Sequence, residues 1–326
     1  MANARSNWAS PSPPFRPQDI AWAWDAIAER LALGRGRPGL WHQMDPGSPI
    51  SPLSMSRTIT TAYDLIPLHE PDVMAYRRAH RRLVYRLYLR NLRHARWVVA
   101  ISETTAEDLV QTLRIPRTRI RVVCPVVEPL REASEKPSAV LSERGPRFLF
   151  VGIPEPHKRP DLAVAAFARY QAEHQDGRLT FVGYHPEPIR RQLRHQAEAF
   201  GVARAVDFAD RVEDGALADM YASGVLLSLS RLEGFGLPPV EALLSGGQAV
   251  AVPGAIYDEV LGDAAVRAES DDPGDIARAM LHACQARPQA AEIERLRAKY
   301  SPRAASAALK GLYNEAFAQL EDAVNG

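Results

Sequence analysis

From residue 147 onward the chain alternates short, continuously apolar runs with longer amphipathic stretches, and few architectures accommodate that pattern. The apolar runs are 147–153 (RFLFVGI), 179–183 (LTFVG), 205–209 (AVDFA), 225–230 (VLLSLS) and 249–253 (AVAVP). Helical spacing fills the intervals near 159–175, 186–200, 214–223, 238–246 and 273–286. Strands that are apolar on both faces belong in a parallel sheet covered by helices on both sides. The expectation is a doubly wound α/β domain with its ligand at the carboxyl ends of the strands.

The preceding half is less regular. Runs 57–66 (RTITTAYDLI), 97–102 (WVVAIS) and 119–124 (RIRVVC) read as strands, with a short one at 40–43. Helices are expected at 19–33, 74–96 and 103–113. Residues 1–18, rich in Pro and Ser, read as flexible, and the Pro, Ser and charge mixture of 129–146 reads as a linker. The division is therefore 1–128, the linker 129–146, and 147–326. The segment 302–320 reads as a helix, grouped with the second domain but able to pack back across both. Four strands are fewer than a full Rossmann-like domain uses, so the first domain is expected to be reduced, or the chain to start late.

The chain's 326 residues give room for two domains. No run of 18 apolar residues predicts a membrane-spanning helix, and no basic, apolar leader is recognisable. Cys124 and Cys284 fit no metal or redox spacing and read as free thiols of a reducing cytoplasm. Charge is uneven. Residues 1–128 hold 18 arginines against 11 acids, whereas the remainder is acidic on balance. Met74–Arg96 carries eight arginines and no acid, with Leu83, Val84, Leu87, Tyr88 and Leu92 as its apolar stripe. Such a helix either presents a solvated basic face above a packed one or lies on an anionic membrane. No nucleic-acid-binding pattern accompanies the charge.

Two segments carry chemistry. In Ser230-Arg-Leu-Glu-Gly-Phe-Gly-Leu-Pro-Pro239 a strand end turns into a helix. Glycines there admit close backbone approach, prolines suit a first helical turn, and free N–H groups favour an anion. Glu233 and Glu241, the latter expected in the first helical turn, are acceptors suited to a polyhydroxylated ligand on a phosphate. They read equally as ordinary acids at a helix start. The second segment, Val151-Gly-Ile-Pro-Glu-Pro-His157-Lys158-Arg159, holds one of only four lysines. Lys158, with His157 or Arg159 beside it, either neutralises a diphosphate in place of a metal or, with Arg159, decorates an exposed helix start.

These segments resemble glycosyltransferase family 4, the glycosyl transferases group 1 class, which has the GT-B fold of two Rossmann-like domains. Glu233 and Glu241 match its E-x7-E motif, and Gly152 to Lys158 matches its phosphate loop. Thr61–Pro71 (TAYDLIPLHEP), Val98–Ser102 and Asp258–Ala265 (DEVLGDAA) match further motifs in the same order. The resemblance implies a retaining, metal-independent hexosyltransferase. It moves a sugar, by this likeness mannose, from a nucleotide-diphosphate-sugar to a glycan or lipid-linked acceptor in surface polysaccharide or glycoconjugate synthesis. It works in the cytoplasm, at the inner face of the membrane, and needs no cofactor.

By the same resemblance, Glu241 binds the donor's ribose and Glu233 orients its sugar. Gly234, Phe235, Gly236 and Leu237 contact sugar and phosphates. Gly152, His157 and Lys158 hold the leaving diphosphate, and Gly183 and Tyr184 lie near the base. Asp64 positions the acceptor or caps a turn. The sequence departs from the family pattern at Ile153, where arginine is common, and at Tyr63, where histidine is usual. Two other readings are a non-catalytic nucleotide-sugar-binding remnant and a GT-B epimerase, against which the EGFGLPPVEAL form argues.

Overall fold

The computed structural model describes residues 39–44, 55–70, 79–130, 141–142 and 145–325. The expected helix 19–33, the flexible segment 1–18, the start of the basic helix and most of the linker lie outside the described residues. Two compact units emerge. Among the described residues, one takes in those up to Pro125 together with the stretch from Pro302, and the other takes in Val126–Ser301.

The first unit carries a four-stranded parallel sheet in the order β1-β2-β3-β4. Its strands are β1 (Trp41–Gln43), β2 (Thr58–Ala62), β3 (Trp97–Ala100) and β4 (Ile120–Val122). β2 and β3 are buried along their full length, as their β-branched composition predicts. The strand read over 57–66 ends at Ala62, because Asp64 closes a turn into the short helix α1 (Ile66–His69). The basic helix α2 (Ala79–His94) is next, followed by α3 (Glu103–Leu113). The Ser102 side chain caps α3 by accepting from the Thr105 N–H at 3.0 Å.

α2 buries Tyr88, Leu89 and Leu92, while Leu83 is 58% exposed. Of the stripe read in the sequence, Tyr88 and Leu92 are buried and Val84 and Leu87 partly so, while Leu83 lies outside it and Leu89 joins it. Burying Asn91 is possible because its amide donates to Gln43.

Among the described residues, the strands and α-helices of the second unit follow one another in chain order. They run β5 (Leu141–Ser142), β6 (Gly145–Val151), α4 (Pro160–His174), β7 (Arg178–Val182), α5 (Glu187–Ala199), β8 (Val206–Ala209), α6 (Asp214–Ala222), β9 (Gly224–Ser228), α7 (Leu237–Leu244) and β10 (Gln248–Ala251). Then come α8 (Ala255–Leu261), β11 (Val266–Arg267), α9 (Pro273–Gln285) and α10 (Ala290–Lys299). The sheet order is β11-β10-β9-β6-β7-β8, all parallel along that path, with β5 antiparallel to β6. The strand order reverses between β6 and β9, so the ligand crevice of a doubly wound sheet falls at their carboxyl ends.

The last helix, α11 (Pro302–Asn325), corrects the sequence division. It belongs to the first unit. Leu312 and Ala316 are buried with Ile59, Trp97, Val99 and Val123, and Leu309, Tyr313 and Leu320 pack against that cluster. A sheet with α2 and α3 against one face has a second apolar face to cover, and α11 supplies the cover. Polar contacts pin it: Tyr313 Oη lies 2.8 Å from His42 Nδ1, and Glu315 pairs with Arg121.

Candidate functional site

A cleft opens at the β6/β9 reversal, lined by Phe150, Val151, Lys158, the β9 end from Leu226 to Ser230, Glu233, Gly236, Pro238, Pro239 and Tyr257. Both segments singled out from the sequence reach it. They are physically joined as well. The Arg231 N–H donates to the His157 carbonyl at 2.9 Å. Arg159 Nε donates to the Leu229 carbonyl, and its guanidinium pairs with Asp271 at 2.6 Å. Arg159 adopts a left-handed conformation, φ 54°, at the start of α4. A non-glycine residue is held there only when its surroundings determine it, and these two contacts do so.

In the loop after β6, Gly152 has φ +129°, and a Cβ added to it would lie 3.3 Å from Lys158 Nζ. The ammonium therefore sits against bare backbone, inside the cleft lining. His157, read beside Lys158 as a partner for the diphosphate, is placed differently. It is 2% exposed, its Nε2 is 3.7 Å from Glu155, and it does not line the cleft.

The loop after β9 brings Glu233 into the cleft. Ser230 Oγ donates to Glu233 Oε1 at 2.8 Å. Tyr257 lines the same cleft beside Glu233. Burial and the charge of Glu233 push that phenol far above its usual range, so it stays neutral. Gly234, Phe235 and Gly236 are buried and Leu237 is exposed. The Phe235 ring packs edge-on against Tyr300 at 5.0 Å, so its side chain is structural and its backbone is what the loop offers. Gly236, φ +86°, precedes α7, which begins with Pro238 in its first turn.

Glu241 lies one residue beyond the expected first turn and outside the cleft lining. It is half-buried, and Tyr221 Oη donates to its Oε2 at 3.1 Å. Burial raises its pKa, the Tyr221 hydrogen bond opposes the rise, and Asp214 adds to it.

Gly183, after β7, has φ +113°, and a Cβ there would stand 3.2 Å from the Gly152 carbonyl oxygen. The glycines therefore let the β6 and β7 loops touch. Tyr184 is 68% exposed beside them. His185 anchors the turn. Its Nδ1 lies 2.7 Å from the Gly183 carbonyl, so Nδ1 carries the proton. Its ring packs on Phe150, Phe181 and Phe208, and burial lowers its pKa. Asp64 belongs to the first unit, where its Oδ1 accepts from the Ile66 N–H at 3.0 Å, the turn-capping geometry.

Sequence reasoning assigned no role to Tyr221, Tyr257 or His185. Ser230 had a local signal, three residues before Glu233. Tyr221 stands 20 residues from its partner and had none. Cys124 and Cys284 are half-buried and not joined in a disulfide. No helix among the described residues is long and apolar enough to cross a membrane.

Comparison with known proteins bears on this arrangement. The model for glycosyl transferases group 1 matches residues 132–301, and that for glycosyltransferase family 4 matches residues 4–131. A D-inositol 3-phosphate glycosyltransferase of Acidothermus cellulolyticus is 36% identical over 169 residues, covering 47% of this chain and 37% of that protein. The serotype-specific mannosyltransferase WbdA of Escherichia coli is 26% identical over 242 residues, covering 69% of this chain and 29% of that protein. The chain thus spans about a third of the length of these two relatives. Among solved structures, a sucrose-phosphate synthase from Thermosynechococcus elongatus superposes with a TM-score of 0.70 at 17% identity, covering 96% of this chain and 82% of that one. The fold is of the GT-B type.

Proposed function

This chain belongs to the glycosyl transferases group 1 family, and from that premise we propose that it transfers a sugar from a nucleotide-diphosphate-sugar to a glycan or lipid-linked acceptor. One observation carries the reading. The two motifs, some 80 residues apart in sequence, meet in one cleft at the β6/β9 reversal, with the Lys158 amine and the Glu233 carboxylate both in its lining.

The chemistry follows from that pairing. A diphosphate leaving group develops negative charge as the glycosidic bond breaks. Lys158, fixed against Gly152, neutralises it without a metal ion. Glu233, held by Ser230 before any ligand arrives, accepts from sugar hydroxyls and fixes the ring. Glu241 receives the ribose hydroxyls, and the Gly183–Tyr184 turn lies beside the base. By the family resemblance transfer proceeds with retention: the acceptor hydroxyl attacks the anomeric carbon from the face the diphosphate leaves, its proton passing to the departing diphosphate, and catalysis is positioning and leaving-group electrostatics. Mannose is the sugar we favour, on the likeness to a mannosyltransferase. The exposed Arg82, Arg86, Arg90 and Arg93 of α2 support contact with an anionic membrane surface on the cytoplasmic side.

A thermal-shift screen against UDP-, GDP-, ADP- and dTDP-sugars tests the reading, because a ligand of the folded state raises Tm. One nucleotide series should stabilise the protein, and Glu241→Ala should abolish its effect. No response to any of the four would overturn the donor-site assignment. Anomeric analysis of the product decides retention, and activity in excess chelator decides metal independence.

A further inference from the structure

We propose that Tyr221 is a positioning residue for nucleotide binding: its hydroxyl holds the Glu241 carboxylate in the orientation that accepts the ribose diol. This rests on the reading of Glu241 as the ribose ligand and adds to it a residue that no motif contains.

The geometry begins with a close approach. A Cβ on Gly247 would stand 1.9 Å from the Tyr221 carbonyl oxygen and 3.2 Å from that of Ala242. The chain before β10 therefore passes directly between the backbone of α6 and that of α7. Only a residue without a side chain fits there. The consequence is that the last turn of α6 is held beside the middle of α7. Tyr221, fully buried, projects its hydroxyl onto Glu241 Oε2 at 3.1 Å. A buried phenol needs a partner, and the carboxylate supplies it.

The contact has a chemical consequence. A ribose diol is best held by a carboxylate, which offers acceptors only. Half-burial works against that form by disfavouring the charge, and Asp214 on α6 works in the same direction. The Tyr221 hydroxyl is the group that opposes both, since a donor stabilises the ionised state. It occupies one oxygen and leaves Oε1 for the ligand. Glu241 is thus a site whose protonation in the free protein competes with nucleotide. Its free-state pKa is raised, so affinity is complete above that pKa and is lost as pH falls through it.

UDP and GDP are the probes, titrated by calorimetry into the full chain between about pH 5 and pH 8.5, a window that brackets the raised side of the glutamate range. Wild type should bind one of them and lose affinity on the acid side. Glu241→Gln should bind at least tenfold more weakly and lose that acid limb. Tyr221→Phe should bind roughly 2- to 10-fold more weakly at high pH, the worth of one hydrogen bond, and its acid limb should move to higher pH. Site-specific 3-fluorotyrosine at 221 is a stronger donor of nearly the same size, and it should move the limb to lower pH. A residue that merely packs would leave the limb in place. An unmoved limb in both Tyr221 variants, with Glu241→Gln weakened, overturns the role of Tyr221 alone. If Tyr221→Phe does not fold, the fluorotyrosine protein decides. Wild-type affinity in Glu241→Gln overturns the ribose assignment and this inference together.

Discussion

The Ser230 hydroxyl donates to Glu233 Oε1 at 2.8 Å, in a cleft that the almost wholly buried Tyr257 also lines. Glu233 is therefore oriented by the protein alone. In a site that works by positioning, that preorganisation is what lowers the barrier.

Ser230→Ala removes the donor and leaves Glu233 to find its own rotamer. The expected outcome is a 2- to 10-fold lower kcat, the range of about one net hydrogen bond. Nucleoside diphosphate affinity should hold within about twofold, since the change touches the sugar end of the site. Steady-state kinetics beside a calorimetric titration of UDP or GDP separates the two effects. Equal losses in both would place Glu233 on the nucleotide rather than the sugar.

Lys158 lies against Gly152 in the cleft, so its amine meets the departing diphosphate. Lys158→Ala should lower the transfer rate by roughly 10²- to 10³-fold, the cost of one preorganised charge-stabilising group. Its Tm should be little changed, because the amine supports no buried element. Inhibition by the product nucleotide should weaken as well. A variant with wild-type turnover would exclude Lys158 from the leaving-group site.

Gly247→Ala forces a methyl to within 1.9 Å of the Tyr221 carbonyl oxygen. Backbone must move, since the obstacle is not the tip of a side chain. Overpacking of this kind costs about 1–3 kcal/mol, read as a Tm lowered by several degrees. Nucleotide affinity should fall with it, because the displaced segment carries the partner of Glu241. An unchanged melting curve would contradict the close approach.

Leu312 is 2% exposed between α11 and the first unit's sheet. Leu312→Ala should cost about 2–5 kcal/mol. Hydrogen exchange localises the loss. Amides of β2 and β3 should exchange faster, while those of β6 and β7 keep their protection. Loss of protection in β6 and β7 instead would return α11 to the second unit.

The strands of the second unit were legible because each is buried on both faces and so reads as an unbroken apolar run. β6, β7 and β9 were found within a residue or two of their ends. The Glu233–Glu241 and Gly152–Lys158 segments were legible because glycine and proline punctuate a chain locally. α8 and α10 were missed. α8 is only seven residues long, and α10 is largely polar with one fully buried position, Leu296, so neither shows a strong period. On the basic helix Tyr88 and Leu92 are buried as read, but Leu83 is exposed and Leu89 buried in its stead, since aliphatic residues lie nearly all round it.

What the sequence by itself determined is therefore the local grammar: which stretches are strands, where backbone must bend, and which charged residues stand at strand ends. Tertiary structure decided partnership. It put α11 on the first unit, since an amphipathic stripe records that a face is buried and not against what. It separated Lys158, in the cleft, from its neighbour His157, in the interior. And it set Tyr221 on Glu241 across Gly247, a contact that exists because two helices may approach where one residue has no side chain.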